Sequence, residues 1–163
     1  LDKKKFFPKE KDNRFFKENL KNLTKDGVLR KIIIEGNTRV LVEKSEKLGE
    51  YLAMDVKESQ DDKPQKEQLT TSQIRKFFGT VKKIEARGEL DDEGIRQLLL
   101  LKPKLAYAAK RAHKTKLPTL KEVLTDSIEL VTSDEGVTQE KFNNFCNLFE
   151  SILCYHKASG GKN

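Results

Sequence analysis

Ile74, Phe77, Phe78, Val81 and Ile84 recur every three or four residues, the period that gathers side chains on one side of an α-helix. Ahead of them, Thr70 and Gln73 have the spacing of a capping box, in which each side chain satisfies the other's backbone N–H, and Gly88 supplies a stop. The same grammar returns along the chain. Val40, Leu41, Ser45, Leu48, Tyr51 and Leu52 share a helical face behind Asn37, a good N-cap. Asp91 has the same role ahead of Ile95, Leu98 and Leu101. There Pro103 is expected to break or kink the helix, or to open a new one over residues 104–114, because it lacks a donor and crowds the preceding turn. Thr119 and Glu122 repeat the capping-box spacing before Leu120, Val123, Leu124, Ile128 and Val131. Thr138 begins a long final helix with a core face of Phe142, Phe145, Cys146, Leu148, Phe149, Ile152, Leu153 and His156, ending at Gly160-Gly161.

One segment argues for a sheet. Gly36-Asn37 stands between two aliphatic runs, Ile32-Ile33-Ile34 and Val40-Leu41-Val42, which is a hairpin signal. Strict alternation does not persist beyond it whereas the helical spacing does, so the helical reading prevails. The chain of 163 residues has only 9 Gly, 4 Pro and no Trp, and charged and hydrophobic residues are each 36%, a composition that suits helices. The predicted fold is all-α, a compact bundle of about five to six helices with no sheet. Residues 1–36 read as a lysine-rich N-terminal extension, partly helical over residues 13–23, and residues 37–163 as a single helical domain. Residues 55–68 hold no aliphatic side chain beyond Val56, so a flexible linker is expected near residues 55–69.

The charge is localised. Between Ile95 and Lys121 lie eight basic residues, Arg96, Lys102, Lys104, Lys110, Arg111, Lys114, Lys116 and Lys121, and no acidic one. The whole chain carries +7, so everything outside that segment sums to −1. Solvated helix faces usually mix signs and pair them three or four residues apart, as the spacing of Glu43 and Lys47 allows; this segment has no such partner of its own. On a helix over residues 104–114, Lys104, Tyr107, Arg111 and Lys114 form one stripe with Lys110 at its edge, opposite Leu105, Ala109 and Ala112. A second basic face, Arg75, Lys76, Lys82, Lys83 and Arg87, lies opposite the apolar stripe that starts at Ile74. Such surfaces suit polyphosphate, and Tyr107 is placed to stack on a base or sugar or to pack on a neighbouring helix.

Catalytic constellations are not apparent. His113 and His156 fall on different helices without cysteine or carboxylate at metal-ligand spacing; His113 reads as a polar surface or RNA-facing residue and His156 as an edge-of-core residue. Asp61-Asp62 lies in the linker, and Asp91-Asp92 sits where a helix start favours negative charge. Cys146 and Cys154, eight residues apart in one helix, are separated by about 12 Å and do not bridge. No apolar run reaches the ~20 residues needed to cross a bilayer, and no leader opens the chain, so a cytoplasmic protein with no membrane partner is expected. No cofactor, metal or enzymatic activity is predicted.

Three strings go beyond charge. Leu69-Thr70-Thr71-Ser72-Gln73-Ile74-Arg75-Lys76-Phe77-Phe78, then Leu101-Lys102-Pro103-Lys104-Leu105-Ala106-Tyr107-Ala108-Ala109-Lys110-Arg111, and Phe145-Cys146-Asn147-Leu148-Phe149-Glu150-Ser151-Ile152-Leu153-Cys154-Tyr155-His156-Lys157 followed by Gly160-Gly161-Lys162 resemble the small subunit of the Csm complex, the type III-A CRISPR effector of antiviral defence. The resemblance extends from about Gly36 to Lys162. It implies a helical, non-catalytic subunit present in more than one copy, beside the backbone subunits that hold the guide RNA and the large polymerase-like subunit. It also implies that the subunit clamps the duplex of guide RNA and target RNA through its phosphates. Carried over string by string, the RNA-binding residues are Arg75 and Lys76, then Lys102, Lys104 and Arg111, then Lys157; the helical stripes add Lys82, Lys110 and Lys114. Two rival readings remain at this point: a scaffold whose basic face docks acidic partners, and a helix-turn-helix DNA regulator with residues 104–114 as recognition helix.

Overall fold

The computed structural model describes Leu23, residues 27–54 and residues 68–163. The helix expected over residues 13–23, apart from Leu23, and most of the expected linker, residues 55–67, lie outside the described residues. Over residues 27–54 and 68–163 six helices follow one another: α1 Val28–Ile33, α2 Thr38–Leu52, α3 Thr71–Glu85, α4 Asp92–Arg111, α5 Leu117–Val131 and α6 Gln139–Ala158. No strand is present among the described residues, so the bundle is all-α as predicted.

The caps carry much of this outcome. Asn37 accepts from the Val40 N–H at 3.1 Å and starts α2, which settles the Gly36-Asn37 segment as a helix start preceded by a left-handed glycine (φ 64°). Thr70 and Gln73 form the full capping box of α3. Asp91 accepts from Gly94 N–H at 2.7 Å and Thr138 from Lys141 N–H at 3.2 Å. Each such cap stabilises its helix by about 1 kcal/mol.

The apolar faces converge on α6, which packs against α1, α2, α3 and α5. Phe142, Phe145, Phe149 and Ile152 are fully enclosed there, with Phe145 and Phe149 at 6.3 Å and the half-buried Phe78 edge-on to Phe149 at 5.2 Å. At Gly49 the backbones of α2 and α6 come so close that a Cβ built there meets Tyr155 Cβ at 2.6 Å and His156 N at 2.7 Å. α1, within the expected extension, adds Leu29, Ile32 and Ile33 to the core. Asn144 of α6 donates to the Ile33 carbonyl at 3.1 Å and pins the turn between α1 and α2.

Two expectations are corrected. Pro103 neither breaks α4 nor opens a new helix: α4 runs for 20 residues with Pro103 inside, and it ends at Arg111 rather than Lys114. A proline inside a helix costs about 3 kcal/mol, but Leu98, Leu101 and Leu105 around it are fully buried, and each such leucine contributes about 2 kcal/mol. Pro103 itself is exposed, as is Leu99 four residues earlier, so the missing hydrogen bond falls on the solvent side of α4. The second correction is at α5, which starts at Leu117 and not behind Thr119. Pro118 occupies the first turn, where a fixed φ and a missing N–H suit a helix start, and Lys116 takes the N-cap place.

Candidate nucleic-acid interface

α3 is anchored by its buried Ile74, Phe77, Val81 and Ile84, which leaves the other side to Arg75, Lys76, Lys82 and Lys83, all exposed. Among the described residues no carboxylate lies within ion-pair distance of Arg75, Lys76 or Lys83, whereas Lys82 pairs with Glu85 at 2.5 Å and rests over the Phe78 ring at 5.8 Å. Glu85 holds the Lys82 ammonium above its ordinary pKa. Lys82 is therefore partly engaged by its own helix. Arg87 is likewise bound to Asp91 at 2.8 Å.

α4 packs against α3 and carries the second set. Lys104, Lys110 and Arg111 are exposed and have no carboxylate partner among the described residues; the Arg111 guanidinium stands 5.7 Å from the centre of the Tyr107 ring. Lys114 is exposed too, but lies in the turn after the helix and so leaves the stripe predicted for it. The segment rich in cations is less unopposed than its own residues imply. Lys102 is bound to Glu129, which α5 supplies from across the helix pair, and Arg96 to Glu93 at 3.1 Å.

Lys116 departs furthest from expectation. Its side chain is 1% exposed, donates to the Tyr51 carbonyl and stands 4.0 Å from the Tyr51 ring centre. Tyr51 lies in the last turn of α2, where carbonyls lack helical donors and the helix dipole attracts positive charge. Lys116 thus closes the end of α2 and is part of the core.

Lys157, exposed near the end of α6, is bound to the Asn163 side chain. From there the tail returns to the start of α3: Thr71 N–H donates to the Lys162 carbonyl at 2.7 Å, and Lys162 N–H to Gln68 Oε1 at 3.2 Å. Gly160 makes the turn with φ 85°, and Gly161 lies so close to the His156 ring that any Cβ would collide with it. A family model described as Csm2 Type III-A matches residues 35–162. This chain belongs to the Csm2 type III-A family. It is thereby a small subunit of the Csm complex, the type III-A CRISPR effector, with other Csm subunits as partners. No curated protein and no solved structure matches it. Among the described residues no helix is long and apolar enough to cross a membrane.

The three Csm-like strings now have physical roles. The first caps α3 and bears Arg75 and Lys76, the second is the C-terminal half of α4, and the third is the central helix with the tail that closes on α3. His156 is the pivot of that closure. It is fully buried, its Nε2–H donates to the Leu69 carbonyl at 2.5 Å, and its Nδ1 has no hydrogen-bond partner among the described residues. Burial pushes its pKa below the ordinary 6.5, Lys157 adds to the shift, and the bond to Leu69 opposes it. A folded-state pKa below the unfolded one means that the unfolded chain takes up the proton more readily. Stability is then full above about pH 6.5 and falls as the pH drops below it toward the folded value. Denaturant titrations from pH 8 to pH 5 are expected to show this loss in the natural protein and a flatter profile in His156→Gln.

Sequence reasoning missed Gly49, the core role of Lys116, and the exposure of Leu99 and Leu100 on α4. For the last of these a signal existed: Leu98-Leu99-Leu100-Leu101 puts leucine on every side of a helix, and only part of it fits inward.

Proposed function

We propose that this Csm2-family subunit is a non-catalytic clamp on the guide RNA–target RNA duplex, gripping phosphates without reading bases. The observation that carries the reading is the set of exposed cations without carboxylate partners, Arg75 and Lys76 on α3 and Lys104, Lys110 and Arg111 on α4, on two helices packed against each other. Elsewhere Arg30 is held by Glu135 at 3.4 Å and the half-buried Lys47 by Glu43 at 3.3 Å, while the exposed Lys31 and Arg39, on α1 and α2, also have no carboxylate partner among the described residues. A guanidinium grips phosphate with two parallel bonds, and lysines act as point charges along the strand. Base pairing already carries the sequence information, so shape and backbone suffice for the clamp.

The titratable groups agree with a binding role. Cys146 is buried and its thiol is pushed up to about 12, so it stays protonated and unreactive. His156 is committed to the tail closure. In the assembled effector the subunit would sit beside the backbone and large subunits together with further copies of itself.

The test is RNA affinity as a function of salt. Replacing Arg75, Lys76, Lys104 and Arg111 together with Ala is expected to lower duplex RNA affinity at least about tenfold and to flatten the log–log salt slope by about 3, at 0.7–0.9 per phosphate contact. Lys82→Ala and Lys102→Ala should each change it less, because Glu85 and Glu129 already occupy those ammonium groups. An unchanged slope in the fourfold variant would overturn the reading.

A further inference from the structure

Phosphate gripping does not explain why the cations of α4 are interleaved with exposed apolar groups. Projected at 100° per residue, Leu100, Pro103 and Tyr107 form a continuous line along the outer side of α4, spanning about 10 Å, with Lys104 and Lys110 on its two flanks and Arg111 one turn beyond Tyr107. Leu100 is 45% exposed and Tyr107 66%. The exposed side of α3 has no such line: its cations follow one another without an exposed large hydrophobic. The two basic faces therefore differ in chemistry, although both are positive.

We propose that Tyr107 is a stacking platform for an unpaired nucleotide, with Arg111 and Lys104 taking the phosphates beside it. The inference rests on the phosphate-binding reading and adds a ligand class to it, single-stranded RNA at the edge of the clamped duplex. An aromatic ring two-thirds open to solvent leaves a face for a base, and every base offers a π-face, so such a contact tolerates any sequence. The Arg111 guanidinium, 5.7 Å from the ring centre, steadies the ring by cation–π attraction and brings a two-pronged phosphate donor to its rim. Pro103 and Leu100 continue the apolar surface toward the N-terminal side, where helical side chains lean, so the sugar or a second base has a dry surface to follow. An acidic protein segment would also be attracted to Lys104, Lys110 and Arg111. The open ring with a guanidinium at its side favours the nucleotide.

The discriminating experiment compares three probes on the full chain: single-stranded oligoadenylate, an abasic ribose-phosphate oligomer of equal length, and a fully paired RNA duplex. Tyr107→Ala is expected to lose about tenfold in affinity for oligoadenylate, within the range of one stacked base, and to keep the salt slope and the affinities for the abasic oligomer and the duplex. Tyr107→Phe, which retains the ring, should bind oligoadenylate like the natural protein. Since Tyr51 is buried, Tyr155 is half-buried and the chain has no Trp, oligoadenylate should also quench an emission component that Tyr107→Phe lacks. Equal losses on all three probes, or none on oligoadenylate, would overturn the stacking platform while leaving the phosphate clamp intact. Unchanged RNA binding by Tyr107→Ala with its loss from the assembled complex would overturn it in favour of a protein contact.

Discussion

Gly49→Ala is expected to destabilise the protein, and Gly79→Ala, the same change in another helix, to stabilise it. Alanine improves helix propensity by about 1 kcal/mol over glycine at either site. At Gly79 in α3 nothing lies within 4 Å of the added methyl, so that gain stands alone. At Gly49 the methyl would meet Tyr155 Cβ at 2.6 Å and the His156 backbone nitrogen at 2.7 Å, atoms that cannot swing aside without moving α6. Overpacking of a tight core costs about 3 kcal/mol at the upper end of its usual range, which outweighs the propensity gain and leaves a net loss of about 2 kcal/mol. Thermal unfolding should register this as a midpoint lowered by about 4–8 °C for a domain of this size, with Gly79→Ala shifted by about 2–4 °C the other way. A Gly49→Ala midpoint at or above that of the natural protein would show that α2 and α6 have room to separate.

Lys116→Ala is expected to cost about 3 kcal/mol, close to the loss at a truncated large core residue, although lysine is ordinarily a surface residue. Three effects add: a hydrogen bond from a charged donor is lost, the Tyr51 carbonyl at the end of α2 is left without it, and the volume of the four-carbon stem is emptied. Lys116→Met refills the volume and removes the charge, which itself was costly to bury, so its loss should be well under half as large. Neither change should alter the salt dependence of RNA binding in protein that remains folded, even though Lys116 belongs to the stretch that gives the chain its net charge. Denaturant unfolding and RNA titration of the two variants check both halves. Lys116→Met weakening RNA binding as strongly as Lys104→Ala would return Lys116 to the interface.

The bundle was legible wherever local chemistry decided the outcome. Asn37, Thr70 with Gln73, Asp91 and Thr138 mark four helix starts, because each offers a side-chain oxygen to backbone N–H groups a few residues on. What escaped depends on atoms distant in sequence. Nothing near Pro103 announces that Leu98, Leu101 and Leu105 will be buried deeply enough to hold one helix through it. Thr119 and Glu122 imitate a capping box, but Pro118 and the packing of Leu117 start α5 earlier. Among the residues proposed for the interface, Arg75, Lys76, Lys104, Lys110 and Arg111 were readable as exposed because each stands opposite an apolar stripe. The engagement of Lys102 was not, since Glu129 is brought to it only when α5 folds back on α4. Lys116 shows the limit of charge counting: a cation's address depends on the acceptor that tertiary structure presents, here a carbonyl 65 residues away.

The position of α6 also governs when the molecule is able to assemble. α1, α2, α3 and α5 all find their common partner only after residues 139–158 have left the ribosome. Until then the sides that these four segments turn toward α6 lack their partner, and the core is completed only once residues 139–158 have been made.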